Sequence, residues 1–180
     1  LLLGVYLLVY TPLPDSIDGD AMLAAAAAAV RHGTPEIGAI GANDALLPLQ
    51  MSRMGAFGVD GALYAKKGVT PSLALAPLVL LADALPWLDA RPGAMLLNPL
   101  VTAITALLLY TLVRWLQYRP GAAFITALLY GLATTALVYA KTLFGEPLAA
   151  LLLLGAVMAA FKALTPIPSP SWRGGKEMQG

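Results

Sequence analysis

The chain has 180 residues, 59% of them hydrophobic and 12% charged, with a mean hydropathy of +0.76. Soluble domains carry roughly 25% charged residues, so the composition argues against an ordinary soluble domain. A net charge of +1 leaves no basic footprint for nucleic acid, and the absence of cysteine removes disulfide frameworks and thiolate metal sites.

The charges are unevenly spread. None falls from Ala94 to Val113, from Pro120 to Ala140 or from Pro147 to Phe161. A bilayer crossing needs about 20 mostly apolar residues. The pattern predicts an all-α, polytopic integral membrane protein with a long outer loop carrying interfacial helices.

In chain order, "LLLGVYLLVY" and Thr11 read as the C-terminal part of a first transmembrane helix. The run is about half the length of a crossing. It has neither a basic stretch before it nor a small-residue cleavage site after it, as a signal peptide would. The chain is accordingly expected to be a fragment of a longer protein. Residues 12 to about 90 form the outer loop, with eight of the ten acidic residues. Within it, "AMLAAAAAAVRHG" has strong helix propensity. Ser16 or Asp18 can cap its start, and Gly33 followed by Pro35 ends it. The next stretch, "GAIGANDALLPLQMSRMGAFGVDG", is Gly-rich and expected to be irregular.

Residues 69–88, "VTPSLALAPLVLLADALPWL", are long enough to span but contain Pro71, Pro77, Pro86 and Asp83. A helix lying along the interface accommodates these more cheaply than a crossing helix. Three spans follow, about Ala94–Leu116, Ala122–Tyr139 and Pro147–Leu164. Gly131, Ala133, Ala136, Gly155 and Ala159 recur through them, as tight helix packing in lipid prefers. Residues 1–164 thus form one membrane domain. Residues 165–180, "TPIPSPSWRGGKEMQG", read as a disordered tail.

Orientation follows from the Lys/Arg bias near span ends. If residues 69–88 stay on one side, Arg114, Arg119 and Lys162 lie opposite the acidic loop. Asp15, Asp18 and Asp20 then sit outside the cytoplasm at the membrane surface.

Three clusters could carry chemistry. "DSIDGD" is either a solvated helix cap or a set of carboxylates placed to take a proton from a substrate hydroxyl. It lacks the alternating ligand order of a calcium loop. "DGALYAKKG" brings Asp60, Tyr64, Lys66 and Lys67 ahead of the interfacial stretch. It reads as a basic and aromatic membrane anchor or as a lysine paired with a lipid phosphate. "VYAKTLFGEP" places Lys141 and Glu146 between two spans, either as plain loop charges or as part of a site shared with the aspartates. Arg91 begins its span on that same side. His32, with no second His or Cys, is a poor metal ligand.

The order of these motifs resembles the N-terminal part of the GT-C glycosyltransferases, the polytopic enzymes that use polyprenyl-phosphate sugars. These include the protein-mannosyltransferase-like and aminoarabinose-transferase-like groups. The resemblance runs through "SIDGDAMLAAAAAAVRHG", "LYAKKGVTPSLALAPL", "ARPGAMLLNPLVTAITALLLYTLVRWL" and "ALLYGLATTALVYAKTLFGEPLAALLLL". It implies transfer of a sugar from the carrier to a glycan, lipid or protein acceptor on the outer face of a prokaryotic plasma membrane. By the same resemblance Asp18 is the catalytic base. Many members have an Asp-Glu pair where this chain has Asp18-Gly19-Asp20, with Asp20 as the second carboxylate. Lys66 or Lys67, with Arg91 and Lys141, would neutralise the leaving phosphate, and Tyr64 and Glu146 would line the site. The implied partners are the carrier-linked sugar and the bilayer, not nucleic acid. No organic cofactor is implied, and a divalent metal is left open. Two other classes fit the composition: a non-catalytic membrane assembly or lipid-binding protein, and a transporter fragment, although transporters place ionisable residues at mid-membrane.

Overall fold

The computed structural model describes residues 1–12, 16–40 and 54–164. Asp15, most of the Gly-rich stretch and the 165–180 tail lie outside the described residues. The fold is mostly helical: α1 (Leu2–Leu8), α2 (Ile17–His32), a short 3-10 turn (Ile37–Ile40), β1 (Gly55–Phe57), β2 (Leu63–Ala65), α3 (Val69–Ala84), α4 (Ala90–Met95), α5 (Leu97–Trp115), α6 (Pro120–Ala133), α7 (Ala136–Tyr139) and α8 (Glu146–Leu164).

Two layers result. In one, α5 packs against both α6 and α8, and α1 lies against α5 and α6. Tyr6, fully buried, ties α1 down by donating its hydroxyl to the Gly131 carbonyl at 2.9 Å. A Cβ at Gly131 would stand 2.7 Å from the Tyr6 hydroxyl oxygen, so only glycine lets α1 come this close. In the other layer, α2 packs along α3. The alanines of α2 account for this: Ala21, Ala24, Ala26, Ala27 and Ala28 are all buried, with Leu75 and Val79 of α3 in the same core. Small side chains allow close approach of the two backbones, and Leu23 and Met22 fill what space remains.

Local signals place the ends of α2. Ser16, not Asp18, is the N-cap, its hydroxyl accepting from the Gly19 N–H at 3.0 Å. Gly33 closes the helix at φ +69, in the left-handed region that suits glycine. The bidentate Arg31–Asp83 pair, with contacts of 3.1 and 2.7 Å, clamps the far ends of α2 and α3 together.

The all-α expectation needs one correction. β1 and β2 form an antiparallel hairpin with Gly55 opposite Ala65 and Phe57 opposite Leu63; β1 falls in the stretch expected to be irregular, and β2 in the "DGALYAKKG" segment. Gly61, at φ +78, supplies the turn, and Asp60 Oδ1 accepts from the Ala62 N–H at 3.1 Å.

Among the described residues, two helices are long and apolar enough to cross a membrane: the run Ala90–Trp115, with mean hydropathy 1.9, and Glu146–Leu164, with 2.0. Val69–Ala84 and Pro120–Ala133 are shorter apolar helices. The expected span from Ala122 to Tyr139 is interrupted. Thr134 adopts an extended conformation between α6 and α7, and its hydroxyl donates to the Tyr130 carbonyl at 2.6 Å and accepts from the Ala136 N–H at 3.1 Å. The small residues divide as well. Gly131 and Ala136 are buried in helix contacts, whereas a Cβ at Gly155 would meet nothing within 4 Å and Ala159 is exposed.

Candidate functional site

The site lies where the α2–α3 layer meets the ends of the long helices. The segment between α7 and α8 is held by Asn98, a fully buried residue in the first turn of α5. Its amide donates to the carbonyls of Tyr139, Thr142 and Phe144 at 3.3, 2.6 and 3.1 Å. One side chain thus fixes the path of the chain that delivers Phe144 and Glu146. The N-terminus of α2 docks on the same segment, with the Ser16 hydroxyl 3.4 Å from the Leu143 carbonyl. A Cβ at Gly19 would lie 2.8 Å from that carbonyl oxygen. The glycine between the two aspartates is therefore what permits the contact, and any side chain there would push α2 away.

This docking brings Asp18 of α2, Lys67 just after β2 and Glu146 at the start of α8 to a single cavity of about 280 Å³, which also includes Pro71, Phe144 and Met22. Lys67 Nζ lies 2.8 Å from Asp18 Oδ2, with both side chains 42% exposed. The pair faces the cavity and can exchange partners without being unburied. The hydrogen bond and charge of Asp18 push the Lys67 ammonium above its ordinary value; partial desolvation opposes this, and Glu146 adds a smaller upward push. Lys67 therefore keeps its positive charge throughout the neutral range. Counting Asp18, Glu146 and Lys67, the cluster carries a net charge of −1.

Asp20 does not join this cluster. Two residues along a helix turn the side chain by roughly 200°, so Asp20 faces the interior. It is 9% exposed, and its Oδ1 sits 3.6 Å from Arg91 Nη1. Burial pushes its carboxyl up, with the Arg91 charge pulling the other way. The two do not form a hydrogen bond, and Asp20 Oδ1 and Arg91 Nε lack hydrogen-bond partners among the described residues. Arg91 thus starts its helix beside Asp20.

The remaining residues singled out by the sequence are dispersed. Tyr64 donates its hydroxyl to Asp60 Oδ2 at 2.8 Å, which lowers the Asp60 carboxyl and raises the Tyr64 hydroxyl. Tyr64 lines a second, more apolar cavity of about 230 Å³ between α2, the hairpin and α3, whose wall also includes Lys67. Lys66 and Lys141 are exposed and line neither cavity. His32 is in the last turn of α2, and the described residues contain no group of three or more His, Cys, Asp or Glu side chains that could hold a metal.

Sequence reasoning did not find Asn98 or the structural need for Gly19. An asparagine in a charge-free apolar segment is itself a signal, because a buried amide in such a place has to find partners. No protein-family model, curated protein or solved structure matches the chain, so the functional reading rests on its own geometry.

Proposed function

We propose that the chain is part of a membrane-embedded glycosyltransferase that takes a sugar from a polyprenyl phosphate at the outer membrane surface. The observation that carries this reading is the convergence of Asp18, Lys67 and Glu146 on one cavity, beside the start of a membrane-length apolar helix. Motifs far apart in sequence meet there: a carboxylate and a cation in contact with each other, both opening onto one cavity.

In this reading the long apolar helices cross the bilayer, with α2, the hairpin and α3 on its outer face. Exposed Leu152, Leu153 and Val157 on α8, and Leu100, Ile104 and Leu107 on α5, would face lipid or further spans. Arg114 stands in the last turn of α5, roughly 26 Å from the start of that helix at 1.5 Å per residue. Arg114, Arg119 and Lys162 then occupy the cytoplasmic end, as the positive-inside rule requires.

Chemically, the acceptor oxygen forms a bond to the anomeric carbon as the bond from that carbon to the phosphate oxygen breaks. The electron pair leaves with the phosphate, whose charge Lys67 neutralises. The acceptor proton passes to the Asp18 carboxylate, which needs to lie within hydrogen-bond reach. Pairing with Lys67 holds that carboxylate in place until substrate separates the two.

The test uses the full chain in lipid nanodiscs, with a photoreactive polyprenyl phosphate and with polyprenyl-phosphate-linked hexoses. Crosslinking within residues 64–71 and 144–149, together with release of polyprenyl phosphate that falls about 10²–10⁴-fold in Asp18→Asn, is the expected result. Absence of specific crosslinking, or wild-type release from Asp18→Asn, would refute the proposal.

A further inference from the structure

A groove of about 160 Å³ lies on the other side of Glu146, between α5, the break at Thr134 and the start of α8. Hydroxyl side chains dominate its polar lining: Thr102, Tyr130, Thr134, Thr135 and Tyr139, with Glu146 supplying the carboxylate. Glu146 is the residue common to this groove and the Asp18–Lys67 cavity.

Thr102 is the informative member. A threonine within a helix ordinarily returns its hydroxyl to the carbonyl four residues back. Thr105, Thr111, Thr126 and Thr134 all do so, at 2.6 to 2.9 Å. Thr102 does not. It is 1% exposed, lines the groove and has no hydrogen-bond partner for its hydroxyl among the described residues. A buried hydroxyl left in this state is unfavourable, so its position favours a ligand that brings a matching donor or acceptor.

We infer that this groove is a subsite for an uncharged sugar ring, with Glu146 as its specificity-determining residue. The unpartnered Thr102 hydroxyl can both donate and accept, which suits a polyol, and Tyr130 and Tyr139 in the lining supply apolar surface for the ring's C–H groups. A carboxylate accepts from adjacent sugar hydroxyls through charge-assisted hydrogen bonds. Among the described residues the groove has no cationic side chain, and the Asp18–Glu146–Lys67 cluster beside it is net negative, so a sugar bearing a carboxylate is repelled. That this sugar is the one transferred rests on the glycosyltransferase reading, but the binding itself does not.

The experiment measures saturation-transfer NMR on the full chain in nanodiscs, using methyl glycosides of glucose, galactose and mannose and the methyl glycoside of glucuronic acid. At least one neutral glycoside is expected to bind, with the glucuronide about tenfold weaker or worse. Thr102→Val and Glu146→Gln should each weaken neutral binding by about tenfold, the effect of losing one good hydrogen bond. Thr102→Ser should retain binding, showing that the fold is intact, and Glu146→Gln should narrow the gap between neutral and acidic sugars. The inference is overturned if no neutral glycoside binds, if the glucuronide binds as well, or if either Thr102→Val or Glu146→Gln binds like wild type. Asp18→Asn should abolish transfer but leave binding of the neutral glycosides near wild type, and the lost charge should affect only the glucuronide, so failure of the transfer chemistry and failure of the subsite give different results.

Discussion

Asp18 and Asp20 are the same residue type, two positions apart on one helix, each paired with a cation from a distant segment. The first pair is 2.8 Å long and 42% exposed on both sides, and opens onto a cavity. The second is 3.6 Å long, with side chains 13% and 24% exposed, and leaves polar atoms without partners among the described residues. An exposed pair adds little to stability because water and salt screen it. A buried pair is expensive to break because the surviving charge is stranded. The first pair is therefore the one that could serve a substrate under the proposed function, and the second belongs to the packing beneath it.

The sharpest way to break this comparison is to neutralise each acid in turn. Asp18→Asn should lower carrier turnover by about 10²–10⁴-fold while thermal unfolding in nanodiscs stays near wild type. Asp20→Asn should retain most turnover per folded molecule. Equal losses of turnover in the two variants would dissolve the distinction.

The next largest effect is expected at the structural pair. Arg91→Leu leaves Asp20 buried without its counter-charge, which costs about 3 kcal/mol, the lower end for such pairs. The lower end applies because the contact is long and the Asp20 carboxyl, already pushed up by burial, can take a proton. Denaturant unfolding of Arg91→Leu and of the double variant Asp20→Leu/Arg91→Leu checks this, with the double variant expected to recover stability.

Much of this layout is legible in the sequence, for physical reasons that differ by region. Charge-free apolar runs mark α5 and α8 because length and hydropathy alone define them. Ser16 and Gly33 mark the ends of α2 because capping chemistry is local. The hairpin was legible in principle, since Asp60–Gly61 between short apolar stretches is turn chemistry, but neighbouring glycines and proline mask it. The grouping of Asp18 with Lys67 and Glu146 rather than with Arg91 is tertiary information. It depends on Gly19 allowing contact with Leu143 and on Asn98 holding the segment from Tyr139 to Phe144, and neither is visible without the folded chain.

Asn98 therefore provides a third test, one that perturbs the site through its scaffold. Asn98→Ala removes the donor shared by three carbonyls, and a cost of about 1–3 kcal/mol is expected for the groups left buried. Because Glu146 follows that segment directly, glycoside binding should weaken along with stability, whereas the distant Arg31–Asp83 clamp should stay intact. A stability loss with unchanged glycoside affinity would separate the segment's path from the position of Glu146.

The smallest effect concerns pH, where the acids of α2 and α3 should behave with opposite signs. The hydrogen bond from Arg31 holds the Asp83 carboxyl below its ordinary value of 3.8, with the Arg31 charge adding to this and desolvation opposing it. The unfolded chain binds a proton there more readily than the folded one, so the clamp's contribution is present above about pH 3.8 and fades as pH falls through the lowered value. Asp20 runs the other way. Its carboxyl is raised above 3.8, so the folded protein holds the proton longer, and its own contribution to stability declines as pH rises from 3.8 through the raised value. Asp83 is 36% exposed, which limits its share to below about 1 kcal/mol. Unfolding measured from pH 3 to pH 7 in Asp83→Asn should therefore show a slightly flatter acid-side loss than wild type. Asp20→Asn should remove a contribution of opposite slope at higher pH. Parallel curves for the two variants would mean that Asp20 is no more buried in solution than Asp83, and the contrast between a substrate-facing and an architectural carboxylate would lose its electrostatic basis.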